Sequence, residues 1–537
     1  MSQELSGAGA ALAAPAGGPW SPLRNKVFRA IWLATLASNI GTWMHDVGAG
    51  WMMTSVSPSP LMVALVQAAT TLPMFLFALP SGVLADIVDR RKYLLFAQAW
   101  MLVVATALGL LALAGLVTPA VLLVATFLLG TGAAMSAPPF QAIVPDLVPK
   151  PELQSAVALN SLGVNISRAI GPALGGVVLT LFGPPAVFLL NAVSVVGVLW
   201  VIYQWQPAQV TRRLPPEHFF PAVRAGLRYV QAAPVLQVVL VRAVAFFAFG
   251  SAGWALLPLV ARKELAVGPG GYGLLLACVG TGAIGGALML PRLRKILSAD
   301  RLVLGASVIF ALALFAMSRI KSFALIAIVL LFAGLAWIVV LSVLNGGAQR
   351  SSAGWVKARA LAVYLLVFFG SMAAGSAVWG QVASLKGTAL ALQVAGAGML
   401  LAAALAMRWR LADSPDLDLT PSPHHAGSPV LGETGGDRGP VMICVEYYVD
   451  KANAVAFHAA AREMRRVRRR GGALSWSLFE DMDEPGRYVE TFVIESWLEH
   501  LRQHERFSVN DKAIQARVHA LHLGPAAPRV RHFVSPP

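Results

Sequence analysis

Gly82-Val-Leu-Ala-Asp86-Ile-Val-Asp89-Arg90-Arg91-Lys92 joins two apolar stretches, 60–85 and 93–116, and neither stretch contains a charged residue. Five charges are thus crowded into seven residues between two uncharged runs. A bilayer core of about 30 Å needs about 20 mostly apolar residues per helix. The stretch therefore reads as a loop at a membrane surface between two spanning helices. Gly82 would let the helices approach closely, Asp86 would pair with a basic group or a helix N-terminus, and Arg90, Arg91 and Lys92 would anchor the surface. Such a polar loop either latches two parts of the protein together in one state or serves only to orient the chain.

The same window applied outward gives ten further stretches. Before and after the loop pair lie 28–52, 119–141, 155–182 and 185–203; after a polar interruption come 235–261, 271–291, 301–318, 322–345, 357–383 and 387–408. The expectation is an all-α polytopic membrane protein with twelve transmembrane helices in two six-helix bundles, 23–203 and 234–410. Composition agrees, because 57% of residues are hydrophobic and only 13% charged, against about 25% charged in an average soluble protein. The net charge of +16 suggests nucleic acid until it is divided along the chain. Residues 1–410 carry 27 basic and 9 acidic groups, whereas 411–537 carry 15 and 17. The excess belongs to the apolar part, so no nucleic-acid partner is expected. Two cysteines, Cys278 and Cys444, build neither a disulfide framework nor a metal site.

The positive-inside bias sets direction. With the N-terminus cytoplasmic, twenty basic residues fall inside and five outside: Arg262, Lys263, Arg319, Lys321 and Lys386. Both termini are then cytoplasmic, in the plasma (inner) membrane of a bacterial-type cell. Residues 1–22, rich in Ala, Gly and Pro, read as a disordered leader without the basic start of a signal peptide. The connector 204–233 contains an amphipathic run, Glu217 to Gln231, expected to lie on the membrane surface.

Ionisable groups inside a bilayer are functional candidates by default. On the first span Thr35, Asn39, Thr42 and Asp46 recur on one face, with Asp46 about 27 Å along the helix from Phe28 at 1.5 Å per residue. Two readings of Asp46 stand: a proton carrier, or a carboxylate neutralised by Arg168 or wetted near the outer surface. The fifth span holds Ser167-Arg168-Ala-Ile-Gly171-Pro172-Ala-Leu-Gly175-Gly176. Gly163, Ser167, Gly171 and Gly175 form a small-residue packing stripe, while Ser161, Asn165, Arg168 and Pro172 form a polar one. Asn39, Asn165 and Arg168 are accordingly cavity candidates. Arg242, Phe246 and Phe249 share a face of the seventh span. There a cation over rings would receive an aromatic or anionic substrate, unless Arg242 snorkels to the cytoplasmic interface.

The Gly82–Lys92 loop resembles the signature of the major facilitator superfamily, departing from it at Ile87 and Asp89. The equivalent second-half loop, Gly286 to Lys295, keeps the basic cluster without the acid. Gly171-Pro172-x-x-Gly175-Gly176 is similar to the motif of proton-coupled exporters in that superfamily. Asn39 to Asp46 with Gly50-Trp51, and Ala137 to Gln141 with Pro145, resemble the transmembrane secretion effector branch, which includes enterobactin-type siderophore exporters. The resemblance covers about 20–410. It implies two pseudo-symmetric bundles with a central site alternating between faces, and proton-driven efflux of small organic molecules by an antiporter, with no nucleotide-binding motif and no cofactor. Uptake or facilitated diffusion, and a membrane-anchored enzyme or sensor acting through the tail, are the alternatives.

Residues 411–440 read as a linker and 441–537 as a compact domain. Strand-like runs at 441–449, 473–480, 487–495 and 530–534 alternate with helical runs at 453–470 and 497–522, a βαββαβ order that suggests a ferredoxin-like cytoplasmic domain. Its exposed sheet face makes dimerisation an expectation. Glu495 to Arg506 resembles the tail of many members of the same branch, and the domain resembles antibiotic-biosynthesis monooxygenase-type folds. His500 and His504 are four apart on one helix, but without a third ligand no metal is expected. Arg465 to Arg470 would touch lipid headgroups or form a solvated helix face.

Overall fold

A computed structural model of the protein describes residues 18–206, 229–353, 356–411, 438–505, 507–524 and 526–535. The amphipathic run in the connector up to 228 and most of the linker lie outside these residues. The first element among the described residues is a one-turn helix, Ser21–Arg24, whose Ser21 and Pro22 are buried, so this part of the stretch read as a leader is packed. The first bundle comprises α1 (Lys26–Val56), α2 (Pro60–Ile87), α3 (Arg90–Leu113), α4 (Pro119–Leu147) and the long element Leu153–Gln204. Gly183 (φ 76°, ψ 179°) breaks that last element into two helices, α5 (153–182) and α6 (184–204). Positive φ costs glycine little, and Pro184 and Pro185 follow it, so the chain can reverse with almost no loop.

The second bundle comprises α7 (Pro234–Leu259), α8 (Pro269–Ile296), α9 (Ala299–Arg319), α10 (Phe323–Arg350), α11 (Lys357–Lys386) and α12 (Thr388–Ala406). Among the described residues, ten helices are long and apolar enough to cross a membrane, with α5 and α6 counted as one. α1 has the length, at 31 residues, but carries His45 and Asp46 among its apolar residues. Every one of the twelve apolar stretches thus coincides with a helix.

α1 and α5 run parallel in close contact. A Cβ placed on Gly163 would meet Trp32, one on Gly171 would meet Trp43 at 2.5 Å, and one on Gly175 would meet Met44 at 2.9 Å. The small-residue stripe is therefore a packing face. Gly176 faces the other bundle instead, where a Cβ would lie 3.0 Å from the Cα of Gly273 on α8. The reciprocal approach is tighter: a Cβ on Gly273 would come within 2.5 Å of the Pro172 carbonyl oxygen, and one on Gly280 within 2.7 Å of the Ala169 Cα. The two bundles touch backbone to backbone along α5 and α8.

The tail is a four-stranded antiparallel sheet in the order β2-β3-β1-β4, with β1 (Val441–Tyr448), β2 (Ser475–Glu480), β3 (Arg487–Ile494) and β4 (Arg529–Val534). α13 (Ala454–Arg470), α14 (Trp497–Glu505) and α15 (Val509–His519) accompany it. Strand order and connectivity are those of the ferredoxin-like βαββαβ arrangement. One correction concerns 497–522, which is two helices. Ser508 accepts from the Asp511 amide while Asp511 accepts from the Ser508 amide, a capping box that starts α15.

On the helix-covered face of the sheet, Glu490 is buried with three side-chain partners. Its carboxylate accepts from Arg468 Nε at 3.1 Å, Trp476 Nε1 at 2.9 Å and the Tyr447 hydroxyl at 3.0 Å. Arg468 also lies 4.5 Å over the Phe492 ring. Burial alone would raise the Glu490 pKa, but Arg468 and the donated hydrogen bonds outweigh it and hold the carboxyl below its ordinary 4.5. Such a group stabilises the domain above that ordinary value, and the contribution is lost as pH falls through the lowered one. Glu490→Gln leaves the Arg468 charge buried and unpaired, at a cost of about 3–5 kcal/mol. Hydrogen exchange on the full-length chain should show the amides of 441–494 losing protection in Glu490→Gln at neutral pH, and in the parent only in acid.

Candidate functional site

The polar face of α1 points at the seam between the bundles. Asn39, Asp46 and Gly50 share that face at about 100° per residue. Its C-terminal end is sealed: a Cβ on Gly50 would lie 3.0 Å from the Tyr272 hydroxyl of α8 and 3.5 Å from Pro258 of α7. Tyr272 stacks on Trp51, with ring centroids 6.0 Å apart. Arg262, just beyond α7, lies 5.5 Å over the Trp51 ring and donates to Thr54 Oγ1 at 2.9 Å and Ser55 Oγ at 2.5 Å. These contacts tie the first bundle to the second. Arg262 appeared in the sequence only as one of five outside charges.

Below this seal lies Asp46, one turn away from Gly50 and close enough to Tyr272 for the two to interact electrostatically. Among the described residues it has no hydrogen bond or ion pair, and Arg168 does not neutralise it. Its neighbour His45 is buried against Phe188, ring centroids 5.0 Å apart, with both ring nitrogens unpartnered. Arg168 lies instead over the Trp43 ring, 5.8 Å from its centroid, and its Nη1 is inaccessible to solvent without a hydrogen-bond partner. Asn165, one turn towards the N-terminal end of α5, donates to the Ser161 carbonyl of its own helix, and Ser161 is exposed. Asn39 is half-buried. Asn39, Asp46, Asn165 and Arg168 are thus carried by the paired helices α1 and α5.

The seventh-span candidates do not join them. Arg242 is 2% exposed and donates through Nη2 to Asp300 Oδ1 at 2.7 Å and to the Trp409 carbonyl at 3.0 Å. Asp300 also accepts from the Leu411 amide, so this ion pair ties α7 and α9 to the chain end after α12. Arg242 thus reaches the first turn of α9 and the chain after α12, while its Nε and Nη1 have no hydrogen-bond partner among the described residues. Phe246 is buried among Phe247, Phe310 and Trp337, and Phe249 packs on Trp379 and against Gly398. Both are core residues of the second bundle. An ion pair between positions 58 apart carries no local sequence signal, and Asp300 was legible only as an acid in the first turn of α9.

The loop motif is partly reassigned as well. A Cβ on Gly82 would meet nothing within 4 Å, so this glycine makes no close helix contact. Asp89, a departure from the superfamily pattern, caps α3 by accepting from the Lys92 amide at 2.9 Å. Arg90 donates to the Ala142 carbonyl and lies 3.6 Å from Asp146, while Arg91 donates to the Ile202 and Tyr203 carbonyls at the end of α6. Basic groups on C-terminal carbonyls suit the helix dipole. The Asp86 side chain lies outside what the structure describes.

In the tail, His500 and His504 have their Nε2 atoms 3.2 Å apart, and His532 lies with its ring 4.8 Å from that of His500. Burial, then His504 and His532, push the His500 pKa down to about 3. Among the described residues no group of three His, Cys, Asp or Glu is arranged to hold a metal ion. Nor is the Arg465 to Arg470 run a free basic patch. Arg468 and Arg470 form ion pairs with Glu490 and Asp511, and Arg465 lies over Trp476.

The model of the transmembrane secretion effector family matches residues 17–536. The chain is 24% identical over 282 residues to the staphyloferrin A transporter of Staphylococcus aureus, covering 51% of this chain and 69% of that protein. It is 29% identical over 213 residues to the enterobactin exporter EntS of Escherichia coli, covering 39% of this chain and half the length of the exporter. Among solved structures, a bacterial homologue of the human lysosomal transporter Spinster, inward-facing and unoccupied, superposes with a TM-score of 0.59 at 15% identity, covering 73% of this chain and 99% of the other. The peptide-transporter-family protein PepTSo gives 0.59 at 12% identity, with 72% and 97% covered.

Proposed function

We infer function from one premise: the chain belongs to the transmembrane secretion effector family of the major facilitator superfamily, and is a multi-pass membrane transporter of small molecules. We propose that it exports small organic molecules, siderophores or amphiphilic drug-like compounds, across the inner membrane in exchange for protons. The observation that carries the reading is Asp46, a carboxylate inside a membrane-spanning helix with no hydrogen bond or ion pair among the described residues. An intramembrane acid without a fixed counter-charge is suited to take up and release a proton as its surroundings change. Asn39, Asn165 and Arg168 would line the substrate path. The siderophore class is supported by the names of the relatives, and export by the Gly171–Gly176 motif.

In this reading both termini are cytoplasmic, the Gly82–Lys92 loop works as a gate with Asp86 as its acidic member, and the tail is accessory. The exposed Met442, Phe479 and Phe533 on one face of the sheet support pairing of two tails. Reconstituted protein containing a trapped pH dye should report internal alkalinisation or acidification that depends on added substrate and opposes its movement. Substrate flux without any proton flux would leave a facilitated carrier. Deleting 438–537 should leave that flux in place.

A further inference from the structure

Resting on the export reading, we propose that Arg168 binds an anionic oxygen group of the transported molecule, so that the substrates are acids bearing carboxylate groups. Three observations converge. A guanidinium presents five N–H donors in a planar fork matched to paired oxygens, and here Nη1 is inaccessible and has no partner. Burying such a donor unsatisfied is costly, and the cost is relieved when an acceptor arrives.

The second observation is what the protein withholds. Asp46 lies on the helix paired with α5, yet no ion pair joins it to Arg168, and Arg168 has only the Trp43 ring beneath it. A purely structural arginine in a bilayer would be expected to carry a fixed counter-charge, as Arg242 does with Asp300. Both arginines leave Nη1 without a hydrogen-bond partner, but Arg242 is buried beside the Asp300 carboxylate, whereas half-buried Arg168 has only the face of an indole.

Position supplies the third. The Arg168 carbonyl would lie 2.7 Å from a Cβ on Gly280, so this residue sits where α5 meets α8 across the bundle seam. Separation of the bundles during transport would uncover it, and a bound anion would come between it and the second bundle. Trp43 offers a flat apolar surface beside the charge, which suits an aromatic or extended acid. Exposed Ser161 and the Asn165 amide continue the same polar face towards the N-terminal end of α5.

The test is equilibrium binding to the purified full-length chain by calorimetry, using citrate and 2,3-dihydroxybenzoate against citrate trimethyl ester and tetraphenylphosphonium. The parent should bind at least one acid more than tenfold more tightly than the ester. Arg168→Gln should abolish that preference, and Arg168→Lys should retain part of it, with folding checked by size-exclusion and thermal unfolding. No preference for acids in the parent, or a preference that Arg168→Gln leaves intact, overturns the proposal. If Arg168→Gln fails to fold, Trp43→Ala decides in its place, by weakening the dihydroxybenzoate more than the citrate or by leaving both unchanged. Acid binding without pH-driven transport would sustain this site and remove the proton-coupled export reading, so the two fail separately.

Discussion

Asp46→Asn abolishes substrate accumulation driven by a pH gradient while the protein still inserts and folds. Each pH unit across the membrane is worth about 1.4 kcal/mol per proton. One-for-one exchange therefore sustains about tenfold accumulation per unit, and the variant should fall to no accumulation at all. Asn keeps the size and polarity of the side chain but cannot exchange a proton. Because Asp46 has no hydrogen bond or ion pair among the described residues, the substitution breaks no visible contact, and stability should change little. Counterflow of substrate without a gradient should survive in Asp46→Asn, which separates loss of coupling from loss of binding.

Gly273→Val with Gly280→Val prises the bundles apart at α5 and α8. Each Cβ would arrive within 2.7 Å of backbone, where no rotamer change relieves the overlap. Overpacking of this kind costs about 1–3 kcal/mol per site. About 5.5 kcal/mol is enough to turn a 99:1 equilibrium into 1:99. The pair together should therefore strongly depopulate the state in which the Arg262 contacts are made. Each bundle keeps its own core, so the protein should still fold. Spin labels at Ser55 and Lys263, with the native cysteines replaced, should report a longer distance in the double variant, and transport should fall to background. An unchanged distance with normal transport would show that this contact persists in no working state.

What could be read from the residues depended on the range of the interaction. Helices are written as runs of apolar residues, and a run such as Pro60 to Ala85 is legible because it requires no knowledge of its neighbours. Gly183-Pro184-Pro185 likewise announces a reversal locally. The small-residue stripe on α5 was legible as packing, though not that Gly176 would face the second bundle while Gly171 and Gly175 faced the first. The pairing of Arg242 was not legible because its partner, Asp300, lies two helices on. Gly82 was misread by pattern, since a glycine in a motif is not always a close approach. The break between α14 and α15 was present as Ser508-x-x-Asp511 but hidden by amphipathic residues on both sides.

Of the site itself, Asn39, Asp46, Asn165 and Arg168 were legible as polar residues in apolar helices. Trp43 and Tyr272 were not, because an aromatic residue in a membrane helix is ordinary until its neighbours are known. The Arg262 contacts to Thr54 and Ser55 join positions more than 200 residues apart, which no local pattern foreshadows.

Inside-out membrane vesicles loaded with an imposed pH gradient test the central claim most directly. Labelled siderophores and fluorescent amphiphiles should accumulate in vesicles containing the protein when the interior is acidic, and accumulation should collapse when a protonophore removes the gradient. Uptake that proceeds equally with and without the gradient would contradict proton-coupled export and return Asp46 to a structural role.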